Sequence, residues 1–597
     1  MSERPFPSPV AGPRASLARA SLAVRAGLCL AIGGAAAASA PGAEPLFDAG
    51  AASGLDFVHF NGMSGEYYLP EMMAPGAALF DCDGDGDLDV FLPQGRMLGP
   101  GKTLADARFP PPPGAPPGDR LFRNDLAVDG DGRRRLRFTD VSGPSGISGG
   151  EGYAMGAATG DYDGDGRVDL YVTALGPDRL LRNRGDGTFE DVTARAGLGD
   201  PRWSVSAAFV DYDRDGWLDL YVANYLEQDL ARHRPCRSPA SALDYCHPLA
   251  FAPESDRLYR SRGDGTFEDV SARAGIGGVA APGLGVLAGD FNGDGWPDLY
   301  VANDATPNFL WVNQGDGTFR DEAVLAGVAV SQAGAPQASM GIAAGDFDAD
   351  GDEDLVVTHL TGEANALYVN DSRGWFEDRG IALGLAGPSL PYTSFGVGWI
   401  DLENDGALDL FVANGAVTIL RALSEANDPY PLHQPSQVFA NQGGRFVEVL
   451  PAGRPFGPSE VSRGAAFGDL DNDGDTDVLV GNNNGPARLL LSPAEGAGHW
   501  IGLRVLDRAG RDALLARVEV TTRDGPPRWR TVRTDGSYGS ASDPRVLVGL
   551  GAATAVPEVR VHWPDGTVEA WRGLPADRYA TLRRGTGTPV PRAGIGP

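Results

Sequence analysis

The sequence predicts an all-β chain, a closed propeller of seven blades followed by a small sandwich-like β domain. Three observations carry this. An Asp-rich nonapeptide, D-x-[DNE]-x-D-G-x-x-D, recurs seven times between Asp81 and Asp477. A second pattern, L-x-x-N-x-G-D-G-T-F-x-D-V, stands between copies, as in Leu180 to Val192, Leu258 to Val270 and Leu310 to Glu322. With 84 Gly and 46 Pro, turns are too dense for long helices.

Each repeat reads as about four short strands. Apolar runs such as Leu170–Val172, Leu220–Val222, Leu299–Val301 and Leu410–Val412 follow the nonapeptides. The second pattern reads as a hairpin turning at N-x-G-D-G. Successive first Asp residues lie 50 residues apart (Asp161 to Asp211) to 80 apart (Asp81 to Asp161), the excess being insertions. Four-stranded units at this period are the signature of propeller blades, which bury both faces only by stacking in a ring. The last nonapeptide is followed by Arg488–Leu491 but by no G-D-G-T-F. Phe47–Gly50 resembles the end of an ordinary unit, so residues 45–60 are expected to supply the outer strand of the last blade.

The domains expected are a signal peptide at 1–43, the propeller at 44–495 and the β domain at 496–590. The leader has Arg4, Arg14, Arg19 and Arg25, then a short apolar run to Ala38, with cleavage after Ala40 or Ala43. An uncleaved anchor is the alternative, and no other stretch could span a bilayer as a helix. Insertions at 93–118 and 226–256 interrupt the ring. Cys236 and Cys246 flank part of the second one and are expected to form a disulfide, two free thiols being the alternative. Cys82 reads as a small buried hydrophobe.

The net charge of −30 argues against nucleic acid and anionic membranes as partners. Much of the acid sits in the nonapeptides, at positions 1, 3, 5 and 9. These are Asp81, Asp83, Asp85, Asp89; Asp161, Asp163, Asp165, Asp169; Asp211, Asp213, Asp215, Asp219; and Asp290, Asn292, Asp294, Asp298. The remainder are Asp346, Asp348, Asp350, Asp354; Asp401, Glu403, Asp405, Asp409; and Asp469, Asp471, Asp473, Asp477. Alternating carboxylates, a Gly for the sharp turn and a closing acid suit Ca2+, which takes six to eight oxygen ligands. Up to seven ions are expected. The loop resembles the first half of an EF-hand without its Glu at position 12, and more nearly the calcium loop of integrin-like propeller repeats.

No catalytic constellation emerges. The seven His are scattered. G-x-S-x-G at Gly146–Gly150 lacks the strand–turn–helix context of a nucleophile elbow. His233 and His247 read as loop histidines rather than a metal pair.

In the C-terminal part, Trp500–Val505, Ala516–Val520, Trp529–Val532, Arg545–Val548 and Val559–His562 read as strands. His499-Trp500, Ala516–Val518, Gly536–Gly539, Val548–Gly551 and Val561–Gly566 resemble the ASPIC/UnbV domain, and the repeats resemble FG-GAP/VCBS-type repeats. With Glu66–Glu71 and Tyr245–Pro248, the chain is similar to the cartilage acidic protein family over roughly residues 45–585. It departs from that pattern at Leu515 and Ser537, where the family has Gly, and at Ala541 and Leu547–Val548. The resemblance implies an exported calcium-binding protein, periplasmic, secreted or on the cell surface, that binds or adheres to a glycan or protein partner. A calcium-dependent propeller enzyme acting on polysaccharide or lipid is the alternative.

Overall fold

The structure is a computed structural model describing residues 46–591, except 112–116, 131, 148, 238–242, 455, 493–496 and 524. The leader at 1–43 and Ser148 of the G-x-S-x-G run lie outside the described residues.

The chain is all-β, and no described helix exceeds the five residues of Arg421–Glu425. Seven antiparallel sheets of four strands follow one another. Sheet 1 is Ala78–Phe80, Asp89–Leu92, Arg120–Asn124 and Phe138–Asp140; sheet 2 is Tyr153–Gly160, Asp169–Leu175, Arg179–Asn183 and Phe189–Asp191. Sheet 3 is Ser204–Val210, Asp219–Asn224, Arg257–Ser261 and Phe267–Asp269; sheet 4 is Gly283–Gly289, Asp298–Asn303, Phe309–Asn313 and Phe319–Asp321. Sheet 5 is Ile342–Gly345, Asp354–Val357, Ala366–Asn370 and Phe376–Asp378; sheet 6 is Ser394–Ile400, Asp409–Asn414, Gln437–Asn441 and Phe446–Glu448. Sheet 7 is Ser462–Gly468, Asp477–Asn482 and Arg488–Leu491, and its outer strand is Phe47–Asp48, with Phe47 opposite Leu491. The two ends of the array thus share one sheet.

The strands are buried on both faces, because each cleft between neighbouring sheets holds its own apolar cluster. Val90, Leu79 and Phe122 of sheet 1 pack on Leu479, Ala466 and Leu489 of sheet 7. Leu258 and Val210 of sheet 3 pack on Val286 and Val301 of sheet 4 in the same way. Small residues line the inner strands, which lets seven of them converge.

The outer strands run into one-turn helices, such as Thr193–Ala196 and Ser271–Ala274, closed by Gly197 and Gly275 in the left-handed region. Asp191 Oδ1 accepts from both the amide and the hydroxyl of Thr193, which turns the chain inward toward the next sheet. These turns were not legible as helix in the sequence.

The C-terminal strands form two sheets. One has three strands: Val546–Gly551, His499–Leu506 and Tyr579–Arg583. The other has five: Arg528–Thr531, Arg517–Thr521, Ala555–His562, Val568–Pro575 and Thr588–Pro589. Ile501, Val505, Val518, Val520, Val548 and Val561 fill the space between them.

Between Thr531 and Val546 the chain leaves these sheets and enters the ring axis, where it bonds to all seven inner strands. Ala288 donates its N–H to Asp535 Oδ2, and Ile342 and Ser537 exchange backbone hydrogen bonds at 2.6 and 3.0 Å. Val397 donates its N–H to Ser537 Oγ, Ala157 to Gly539 O, and Gly539 N–H donates to Ser206 Oγ. Ala541 pairs with Ala77–Leu79, and Ser542–Asp543 with Phe467. From the opposite end the short helix Leu69–Met72 fills the axis, and Tyr538 donates its hydroxyl to Met73 O. Three glycines make this crossing fit. A Cβ on Gly76 would lie 1.8 Å from Gly539 O, and one on Gly464 2.5 Å from the Gly76 Cα; Gly156 is as confined. Gly76→Ala is therefore expected to destabilise the chain by about 3 kcal/mol or more in urea unfolding. Gly143→Ala, whose Cβ meets open space, should change it by less than about 0.5 kcal/mol.

Candidate metal centres

Each Asp-rich nonapeptide joins the first and second strands of its sheet, so all seven loops lie at one end of the ring. The insertions join second and third strands and lie at the other end, as does a segment at 415–436 that the repeat pattern did not separate. Cys236 and Cys246 are bonded there, with Cα atoms 4.9 Å apart. Tyr245 of that loop packs on Tyr67 and reaches Glu71 Oε2 at 3.4 Å. His233 binds Glu66 O through Nε2, while His247 Nδ1 accepts from Leu249 N, so the two do not share a site. Cys82 is a buried free thiol.

The loop of sheet 2 shows how the nonapeptide folds. Asp161 (position 1) accepts the N–H groups of Gly164 and Asp165 on Oδ1 and of Gly166 on Oδ2, at 2.8 to 3.1 Å. Asp165 (position 5) accepts from Arg167 N. Asp169 (position 9) accepts from Asn183 N at 2.7 Å and from Tyr162 N at 3.3 Å. Position 9 is thus a staple between the loop and the third strand as well as a candidate ligand. Asn183 then donates its side-chain N–H to Cys82 O of sheet 1, and Asn313, Asn370, Asn441 and Asn124 likewise reach the preceding sheet. Sequence reasoning took this Asn as a turn residue only.

Five loops bring three carboxylate oxygens within 4.8 Å of one another. They are Asp81, Asp83 and Asp85; Asp161, Asp163 and Asp169; Asp211, Asp213 and Asp219; Asp346, Asp348 and Asp354; and Asp469, Asp471 and Asp477. Asp165, Asp215, Asp350 and Asp473 stand outside these groupings, as does Asp89. Among the described residues the other two loops make no such grouping. In one, Asn292 donates to Asp294 Oδ2 at 3.1 Å beside Asp290 and Asp298; the other comprises Asp401, Glu403, Asp405 and Asp409. The grouped donors are hard oxygens, and their mutual repulsion in a desolvated loop is what a divalent cation would relieve.

Burial, then the neighbouring carboxylates, drives several of these acids far above the ordinary carboxylate range. Asp169, Asp219 and Asp354 are each pushed up to about 9, and Asp298 and Asp409 to about 8.

The C-terminal sheets rest on these loops through arginines. Arg517 donates to Gly351 O, Arg528 to Asp405 O, and Arg530 to Gly406 O. Arg545 donates to Asp469 O and Gly86 O, and Tyr579 OH to Asp469 Oδ2 at 2.7 Å. Nothing in the nonapeptides signals these partners.

A family model described as ASPIC and UnbV matches residues 507–589. One described as FG-GAP-like repeat matches residues 161–222, 249–301, 290–357 and 346–412. The chain is similar to cartilage acidic protein 1 of Mus musculus, with 27% identity over 513 residues, 83% of this chain and 71% of that protein. The Homo sapiens protein of the same name is 26% identical over 513 residues, covering 83% and 70%. A lectin from Burkholderia pseudomallei superposes with a TM-score of 0.38 at 11% identity, covering 70% of this chain and 95% of that one, too loosely to bear on function.

The raised carboxyls set a pH dependence for the metal-free chain. A carboxyl that binds its proton more tightly folded than unfolded favours the fold while protonated. That contribution is full below the unfolded value near 4 and is lost as pH rises through about 9. With chelator present, the melting midpoint should fall between pH 5 and pH 9, and saturating Ca2+ should flatten the trend. A chelated midpoint that rises over this range would contradict it.

Proposed function

Because this chain is related to cartilage acidic protein 1 over most of its length, with FG-GAP-like repeats ahead of an ASPIC/UnbV region, we propose that it is an exported calcium-binding protein. In this reading its seven sheets are the blades of a calcium-loaded propeller. It acts outside the cytoplasm by binding a glycan or protein partner, not by catalysis.

The observation that carries the calcium reading is the convergence of three carboxylates in each of five loops at one end of the ring. The Cys236–Cys246 bond and the leader-like composition of residues 1–43 support export into an oxidising compartment. No described helix is long and apolar enough to cross a membrane. The partner surface is assigned to the insertions opposite the calcium loops, since long loops on a rigid scaffold are where binding concentrates.

An enzyme would need a reactive group within reach of substrate. Burial pushes Asp178, which is 1% exposed and already accepts from Tyr171, Ser204 and the Ala174 amide, up to about 8, and it pushes Glu71 equally far. The Glu71 side chain is sealed at 0% exposure beneath the 226–256 insertion, with Tyr245 over it. No solute meets it without unfolding that cap.

Calorimetric titration of the chain with Ca2+ should find several bound ions. Chelation should lower the melting midpoint by roughly 5 °C or more, since one site at 100-fold excess over its Kd contributes about 2.7 kcal/mol. Substitution in the 226–256 loop should abolish capture on a glycan or matrix-protein array with the midpoint retained. Absence of bound Ca2+ overturns the calcium reading, and turnover of a polysaccharide or lipid overturns the binding one.

A further inference from the structure

Building on the calcium reading, we infer that the seven loops are not equivalent. The loops of sheets 2 and 3 carry a built-in guanidinium counter-ion, and the loop of sheet 5 is the principal divalent-cation site.

The difference lies in one position of the third strand, the residue before the Asn or Ser that staples position 9. In sheet 2 it is Arg182, whose Nε binds Asp163 Oδ2 while Nη2 binds Asp165 Oδ2 at 2.8 Å. In sheet 3 it is Arg260, which takes Asp213 and Asp215 in the same way, the latter at 2.7 Å. Each guanidinium therefore bridges positions 3 and 5, two of the oxygens a cation would need. Displacing it breaks two charge-assisted hydrogen bonds. In sheet 1 the equivalent Arg123 turns away to Asp125, at 2.7 Å. In sheets 4 to 7 the position is Val312, Val369, Ala440 and Leu491, none of which carries charge.

Sheet 5 combines this missing counter-ion with an unmet acceptor. Asp346, Asp348 and Asp354 converge within 4.8 Å. Asp354 is 0% exposed; its Oδ1 accepts from Asn370 N at 2.9 Å and its Oδ2 has no partner. In the other six loops the matching oxygen accepts the position 2 amide, from Cys82, Tyr162, Tyr212, Phe291, Leu402 and Leu470. A buried carboxylate oxygen left without a donor, beside two more carboxylates, is met by a hard cation or by nothing. The nearby arginines make no hydrogen bond to these three carboxylates. Arg517 donates to Gly351 O and Arg530 to the carbonyls of Trp529 and Gly406, while Arg530 bears on Asp346 and Arg379 on Asp348 only through space. Sheet 7 groups three acids as well, but both oxygens of Asp477 are occupied and Tyr579 already donates to Asp469.

The test is Ca2+ titration of the full chain by calorimetry, with Tb3+ emission excited through tryptophan as a second readout. Trp529 stands against Gly351 of the sheet 5 loop, 3.2 Å from where a Cβ would be, so Trp529→Phe should dim the emission of the first ion bound. Asp348→Asn should remove the tightest site or weaken it at least tenfold, and Asp163→Asn should leave that site unchanged. Arg182→Val, which gives sheet 2 the residue of sheet 5, should add an ion or tighten one by about tenfold. Should Asp348→Asn fail to fold, Arg182→Val at a partly exposed position still decides. Uniform filling of all loops, or no change with Arg182→Val, overturns this inference and leaves the calcium reading standing. No bound ion in the unmodified chain overturns both.

Discussion

Everything in this molecule is arranged around a backbone crossing in which Gly76, Gly156 and Gly464 have no room for a Cβ. Residues 535–543 thread the axis and bond to an inner strand of every sheet. Such a segment can satisfy seven strands at once only because Gly76, Gly156 and Gly464 let main chains meet nearly in contact. The C-terminal sheets are therefore built into the ring, and the axis is filled from both ends rather than open as a channel.

The two rims have different chemistry. At one, the Asp loops concentrate carboxylates whose burial makes them poor anions without a counter-charge, and the C-terminal arginines rest on the loop carbonyls. At the other, insertions close over Glu71 with aromatic side chains and a disulfide. In the calcium reading proposed above, cation binding at the first rim stiffens the joints between sheets, because in five sheets the position 9 Asp also holds the strand whose Asn reaches across to the preceding sheet. Loop charge and ring rigidity are thus one property. A scaffold stiffened in this way presents the second rim in a fixed shape.

Much of this was legible in the sequence because repetition is a strong signal. The four-strand units and the pairing of Phe47 with the last sheet follow from seven copies of one pattern and a missing hairpin at its end. What stayed hidden was what does not repeat. Segment 535–543 enters the sequence reading only as part of the ASPIC/UnbV-like pattern, since nothing local marks a segment that will be swallowed by a ring. In the sequence, Leu515 and Ser537 stand out only as departures from the Gly of the family pattern. In the structure both sit at positive φ, 64° and 55°, where Gly is the relaxed choice. They are backbone positions first, although Ser537 Oγ also accepts from Val397. The division of the loops by Arg182 and Arg260 against Val369 was visible in the letters, but only strand register shows that these residues face the acids.

The sharing of sheet 7 between the first described strand and Arg488–Leu491 has a consequence in time. A chain that emerges amino-end first holds Phe47 exposed, edge unpaired, until some 440 further residues have followed, and the axial segment arrives later still. The ring is an open arc throughout its own synthesis. For that interval its acid loops are solvated and its inner strands uncovered, so in the calcium reading proposed above the loops meet the cation before the arc becomes a closed body.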